Sequence, residues 1–146
     1  MLKRIPAILS PDLLKILRAM GHGDEIAIVD GNYPADEHGR RVVRADGVSA
    51  TDMLDAILTV LPLDDFVECA AFRPVPRGVG ASDDQPIFRE FRTLLDKHES
   101  PKMALGKIGG DAFYDRVKAA YAVIATTEAR LYGNIILKKG VVRPVG

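Results

Sequence analysis

The chain alternates between two kinds of segment, and that alternation limits its fold more than any other feature. Glu25-Ile26-Ala27-Ile28-Val29, Tyr121 to Ala125 and Asn134-Ile135-Ile136-Leu137-Lys138 are short, apolar and rich in β-branched residues. A strand that is apolar at consecutive positions is one buried on both faces. Between these runs the period changes to that of a helix. Ser10-Pro11-Asp12 is a helix start, with Ser at the N-cap, Pro at the first helical position and an acid in the first turn. Leu13, Leu14, Leu17 and Met20 then recur at helical spacing, and Gly21 ends the run. Ser49 caps a second helix reaching Leu61, with Leu54, Ile57, Leu58 and Leu61 on one face. Pro86 to Lys97 and Asp111 to about Ala120 read as two more.

Arg41 to Arg44 and Phe66 to Phe72 read as further short strands. Asp36 to Arg40 is polar and reads as exposed. Pro74 to Asp84 carries Pro, Gly and Ser and has the composition of a mobile loop. Ser100 to Gly106 fits no single element. The alternation predicts an α/β fold: a single domain over residues 1–146, its largely parallel sheet flanked by helices and joined by right-handed crossovers. At 146 residues the chain buries a substantial core. In such sheets ligands sit at the carboxyl ends of the strands, and Asp30 lies just past one of them.

Charge and composition exclude several classes. Lys plus Arg number 20 and Asp plus Glu number 20, so there is no basic face for nucleic acid. Cys69 is the only cysteine, which rules out an internal disulfide. The apolar stretch after Lys3-Arg4 stops at Ser10-Pro11-Asp12, unlike a secretory signal, and no run approaches the length of a membrane span. The expectation is a cytoplasmic protein.

Three constellations could carry chemistry. His22 sits between Gly21 and Gly23, before a strand whose far end leads to Asp30. Histidine changes charge near neutral pH, and a carboxylate or a helix C-terminus favours its charged form. The other reading, which residue type alone favours, is a loop histidine with no role. The strand between His22 and Asp30 puts them near opposite ends, unless His22 folds back or a second copy supplies its own. Tyr132-Gly133-Asn134 combines a phenol with an amide that both donates and accepts, which suits sugar hydroxyls; the other reading is a turn with Tyr packed on the core. In Phe113-Tyr114-Asp115-Arg116, Tyr114 either reaches a pocket or packs in the core, and Arg116 reads as solvated helix surface. His22, Asp24, Asp30 and His38 are ligand types for a divalent ion, but their spacing matches no metal motif. Neither Gly21-His22-Gly23 nor Gly78-Val79-Gly80 has the third glycine of a dinucleotide fingerprint. There is no Walker-type lysine and no nucleophile elbow.

Taken in order along nearly the whole chain, the segments SPDLLKILRAMGHGDEIAIVD, YPA, RADG, LPLDDF, AFYDRV and LYGNIILKKG resemble the L-fucose mutarotase and D-ribose pyranase family, closest to its fucose branch. The resemblance implies a sugar isomerase that interconverts α and β anomers of a monosaccharide, most readily L-fucose, by acid–base ring opening and closure. It implies His22 as the catalytic acid/base, with Tyr114 or Tyr132 handling the anomeric hydroxyl. Asp30, Asn134 and Tyr132 are implied as sugar-binding groups, and Asp64 by a weaker match. One departure is visible: fucose mutarotases often carry an arginine three residues before the Phe-Tyr pair, where this chain has Gly110. The family is oligomeric, with rings stacked into decamers in bacterial members and sites near subunit boundaries, so a homo-oligomer is expected. No metal or redox cofactor is implied. The competing readings are a ribose pyranase using the same groups, a non-catalytic monosaccharide-binding module, and a metal-dependent lyase or isomerase.

Overall fold

The computed structural model describes residues 1–78, 80–99 and 103–146. In chain order these form α1 (Pro11–Ala19), β1 (Glu25–Val29), α2 (Ala35–His38), β2 (Val42–Ala45), α3 (Ala50–Leu58), β3 (Ala71–Pro74), α4 (Pro86–His98), β4 (Leu105–Ile108), α5 (Asp111–Ala119), β5 (Ala122–Thr126) and β6 (Ile135–Lys138). The strands make one sheet in the order β2-β5-β1-β6-β3-β4. The β2–β5, β5–β1 and β3–β4 pairs are parallel, while β6 runs antiparallel to both β1 and β3. The α/β reading with a largely parallel sheet therefore holds, with β6 reversed near its centre.

Side-chain alternation along the strands divides the core into two layers. Ile26, Ile28, Ala122, Ile124, Ile135 and Leu137 face the larger one, against Leu13 and Leu17 of α1, Met53 and Ile57 of α3, and Phe91 and Leu95 of α4. Ala27, Val29, Val123, Ala125 and Ile136 face the other, against Ala35 of α2 and Phe113 and Val117 of α5. Both faces of β1, β5 and β6 are covered, which is why these three strands read as continuous apolar runs.

The caps behave as their residue types dictate. The Ser10 hydroxyl accepts from the Leu13 N–H, and Ser49 accepts from the Asp52 N–H. Asp36 to Arg40, expected to be polar and exposed, is largely so, with Asp36 to His38 in the single turn of α2. Two segments differ from the sequence reading. The strand expected at Phe66 to Phe72 begins only at Ala71, because the Asp64 carboxylate takes the Phe66 N–H and folds 64–66 into a turn. The ambiguous 100–106 stretch leads into β4; Ser100, Pro101 and Lys102 lie outside the described residues, as does Val79 of the 74–84 loop. Arg116 is also drawn in from solvent. Its guanidinium meets the Glu25 carboxylate at 2.9 and 2.7 Å and lies over the Phe72 ring, tying α5 to the start of β1.

The end of β6 is fixed by close backbone packing. Leu63 bridges Lys139, the Asp64 N–H donates to the Lys138 carbonyl at 3.0 Å, and the Gly140 N–H donates to the Pro62 carbonyl at 2.8 Å. A methyl group on Gly140 would lie 2.7 Å from the Leu63 carbonyl carbon and 2.8 Å from Asp64 Cα, both backbone atoms. Gly140→Ala is expected to cost about 1–3 kcal/mol as overpacking and to lower the melting temperature by several degrees. A thermal melt followed by far-UV circular dichroism checks it, and an unchanged midpoint would show that the 62–64 segment yields freely.

Candidate active site

The sequence-predicted residues fall at two opposite edges of the sheet. His22 and Asp64 are at the edge where β1 begins and β6 ends. Asp30, Asn134, Tyr132 and Tyr114 are at the edge where β1 ends and β6 begins. The five residues of β1 lie between, and at about 3.3 Å per residue they hold the two groups roughly 16 Å apart.

At the first edge the glycine-flanked histidine stands on a fixed backbone. The Gly23 N–H donates to the Lys139 carbonyl and the Lys139 N–H donates to the Asp24 carbonyl, each at 2.9 Å, and the Asp24 carboxylate accepts from the Gly21 N–H at 2.8 Å. Gly23 has φ +88°, a conformation that glycine adopts without strain. The His22 ring is 44% exposed, and its Nε2 is 3.0 Å from Oδ1 of Asp64, whose side chain is 4% exposed. Phe66 packs beside the ring with centroids 5.1 Å apart. Burial by itself raises the Asp64 carboxyl, but the hydrogen bonds from His22 and the Phe66 N–H outweigh it and hold the group below its ordinary value. Asp64 is therefore ionised at neutral pH and orients the imidazole through Nε2, leaving Nδ1 as the nitrogen not bound to it.

At the second edge two turns interlock. The Asp30 N–H donates to Oδ1 of Asn134 at 2.8 Å, and both residues are buried. The Gly31 N–H donates to the Glu128 carbonyl at 2.9 Å. The buried Glu128 carboxylate accepts from the Ala50 N–H at the head of α3 and from Arg130 Nε at 2.9 Å, so the 126–134 connection is anchored from beneath. A side chain on Gly133 would meet Glu128 Cγ at 2.8 Å and the Arg130 carbonyl at 3.2 Å, which explains the glycine between Tyr132 and Asn134. Tyr132 itself has φ +62°, a left-handed conformation that costs energy for a tyrosine and aims its side chain across the strand ends. Its hydroxyl donates to the Arg77 carbonyl at 2.9 Å.

These turns frame a pocket of about 200 Å³ lined by Tyr33, Arg77, Gly110, Tyr114, Tyr132 and Asn134 among others. A volume below the roughly 300–1,000 Å³ of drug-sized sites suits a small polar ligand. Gly110, at φ +62°, carries no side chain here, and the Arg77 guanidinium lies 3.8 Å from where its Cβ would stand. Asp30 lines an adjoining hollow of about 250 Å³, and Tyr33 borders both spaces. The structure thus brings Tyr114, Tyr132 and Asn134 together, sets Asp30 against them through Tyr33, and leaves His22 with Asp64 across the sheet. Sequence reasoning missed Tyr33, Arg77 and Glu128 as site residues. Tyr33 is half-buried, and its hydroxyl is 2.8 Å from Nδ1 of His38. Among the described residues no group of three or more His, Cys, Asp and Glu side chains is placed to hold a metal ion. No helix among them is long and apolar enough to cross a membrane.

A reversed strand in a doubly covered sheet, with a Tyr-Gly-Asn turn locked to an aspartate at its mouth, defines a class, and the comparisons give it a family. The RbsD / FucU transport protein family matches residues 3–142, and the chain belongs to that family. The human fucose mutarotase is 44% identical over 145 residues, covering 96% of this chain and 94% of that protein. The crystal structure of the fucose mutarotase in complex with L-fucose from Streptococcus pneumoniae superposes with a TM-score of 0.89 at 42% identity, covering 97% of this chain and all of that one. Bacillus subtilis RbsD complexed with D-ribose superposes at 0.75 with 25% identity, covering 98% of this chain and 100% of that one.

Burial makes a prediction about Asp30. Desolvation raises its carboxyl above 3.8, against the opposing hydrogen bonds from Asn32, Gly133, Tyr33 and Asn134. The folded state therefore holds this proton at higher pH than the unfolded chain. The group contributes stability below pH 3.8 and loses that contribution as pH rises through the folded value. At neutral pH the ionised carboxylate opposes folding, so Asp30→Asn is expected to raise the melting temperature at pH 7. The gain over wild type should shrink toward pH 3.5, a comparison in which the titration of the other carboxylates cancels. A variant less stable than wild type at pH 7 would show that the hydrogen bonds outweigh the burial.

Proposed function

We propose that the chain is a sugar mutarotase that interconverts the α and β anomers of L-fucose by acid–base ring opening and closure. What carries the reading is the locked Asp30–Asn134 pair at the mouth of a tyrosine-lined pocket, in a chain 42–44% identical to fucose mutarotases over nearly its whole length. Asp30 and Asn134 hold sugar hydroxyls. Tyr114 and Tyr132 contact the anomeric hydroxyl, directly or through water. His22, oriented by Asp64, donates a proton to the ring oxygen as the C1–O5 bond breaks; the aldehyde turns about C1–C2 and the ring closes on its other face by the reverse transfers. Only acid, base and hydroxyl clamps are needed, and such acid–base assistance is worth about a hundred- to ten-thousand-fold.

A sugar cannot touch His22 and Asp30 of the same chain, because β1 separates them. The proposal therefore includes a homo-oligomer, a decamer of stacked rings, in which His22 of one copy completes the pocket of the next. Closed rings form when such head-to-tail contacts repeat. The apolar groove of about 450 Å³ beside His22, lined by Leu14, Leu17, Val60, Leu61 and Val142, supports a contact at that edge. Cytoplasmic residence, alongside the sugar pool, is part of the same reading.

The test is magnetisation exchange between the anomeric proton signals of L-fucose, with D-ribose in parallel. Protein-dependent exchange on fucose supports the mutarotase, ring-size exchange confined to ribose moves the assignment to the pyranase, and binding without acceleration leaves a sugar-binding module. His22→Ala is expected to lose about a hundredfold or more in kcat with an unchanged melt, since the ring is half exposed. Asp30→Asn should lose activity as well. Mixing the two inactive proteins and letting their subunits exchange is expected to restore activity that neither has alone. A mixture that stays inactive after demonstrated exchange would place both residues in one copy's site and sink the shared arrangement.

A further inference from the structure

We infer that Tyr33 and His38 form a proton relay in this pocket, with Tyr33 as a further catalytic residue and His38 positioned behind it to take the proton onward. The inference rests on the mutarotase reading of the same site.

The pair is built by local chain geometry. The turn after β1 puts the Tyr33 N–H on the Asp30 carbonyl at 3.3 Å, and the Ala35 N–H on the Tyr33 carbonyl at 2.8 Å. The single turn of α2 then carries the chain back so that Nδ1 of His38 lies 2.8 Å from the Tyr33 hydroxyl. Tyr114 closes the group from α5, its ring centroid 5.6 Å from Tyr33 and 5.2 Å from His38. Three rings in mutual contact on two elements fix the phenol at the border between the Asp30 hollow and the Tyr132–Asn134 pocket.

Chemistry favours Tyr33 over Tyr132 for this transfer. To take a proton from the anomeric hydroxyl without becoming a cation, a phenol must release its own. The Tyr132 hydroxyl donates to a backbone carbonyl, which does not accept a proton near neutral pH. The Tyr33 hydroxyl faces an imidazole nitrogen, which does. Burial, with the Tyr114 and Asp30 charges, pushes the Tyr33 hydroxyl well above its ordinary value, so it stays protonated and works by passing a proton through rather than by ionising. In ring opening the anomeric O–H proton moves to the Tyr33 oxygen while the phenolic proton moves to Nδ1 of His38. The C1–O5 electron pair leaves with the ring oxygen, which takes its proton from the acid assigned to His22. Ring closure reverses both transfers, and every group returns to its starting state.

The experiment compares Tyr33→Phe, His38→Gln and the double variant in the fucose exchange assay, with thermal melts alongside. Tyr33→Phe keeps the ring and its packing. His38→Gln keeps a hydrogen-bonding side chain and removes the proton acceptor. Each single variant is expected to lose about a hundredfold in kcat with KM within about threefold of wild type, and the double variant to lose no more than Tyr33→Phe alone, because the two act in series. A single variant with wild-type kcat, a loss confined to KM, or losses that multiply in the double variant would each overturn the relay. Should one variant melt early, the other still decides. A wild-type protein inactive on fucose would overturn the mutarotase reading and the relay with it, whereas an active wild type with an undiminished Tyr33→Phe variant overturns the relay alone.

Discussion

One buried hydrogen bond, from the Asp30 N–H to Oδ1 of Asn134, is the joint around which the pocket edge is arranged. It links the turn that leaves β1 to the turn that enters β6. These turns meet only because β6 runs against β1, so that one strand's exit lies beside the other's entry. Parallel neighbours would put those turns at opposite edges of the sheet. The same Asn134 side chain also hydrogen-bonds the Asp30 carboxylate, so its amide clamps both the backbone and the side chain of that turn. Buried Glu128 supports the same connection, bonding the head of α3 and Arg130 at once. A left-handed tyrosine and a sterically required glycine between these anchors are tolerated because the surrounding bonds over-determine them.

The strand that builds the pocket also divides the chemistry. β1 is buried at nearly every position, so it cannot bend to bring its ends together, and the stapled Gly21–Asp24 turn does not fold His22 back. A histidine held by a buried carboxylate lies at one end of the strand and the bonded Asp30–Asn134 pair at the other, with a rigid spacer between them. Tyr33 and His38, by contrast, lie at the same end of the strand as Asp30 and Asn134 and meet within the one chain.

How far the sequence could be read depended on whether each element's signal was local. The two serine caps, Ser10 and Ser49, announce their helices because the capping residue and the first turn are adjacent in sequence. β1, β5 and β6 are legible because burial on both faces removes polar residues. β3 and β4 sit at the sheet's far side, only half-buried, with Arg73 and Lys107 among their residues, and no periodicity marks them. The antiparallel sense of β6 does not follow from its composition, but it does follow from length. Only residues 127–134 separate β5 from β6, too few for the dozen or more that a parallel crossover needs. The same rule of locality governs the site. Gly-His-Gly and Tyr-Gly-Asn are compact enough to recognise by family resemblance. The His22–Asp64 contact spans 42 positions, and no spacing rule reaches it.

Tyr33 and His38 escaped for the opposite reason, being close in sequence but joined by an element too short to see. A helix of one turn has no hydrophobic period, and its Asp36 and Glu37 read only as polar and exposed. Yet the turn converts a five-residue separation into a 2.8 Å contact. Its first residue, Ala35, is buried against the second core and anchors the turn there. Gly39, immediately after, is held still more tightly: a Cβ there would lie 2.9 Å from the Ala35 carbonyl. The small residues at either end of α2 thus bear on the Tyr33–His38 contact, because they set the path of the turn that carries the imidazole behind the phenol.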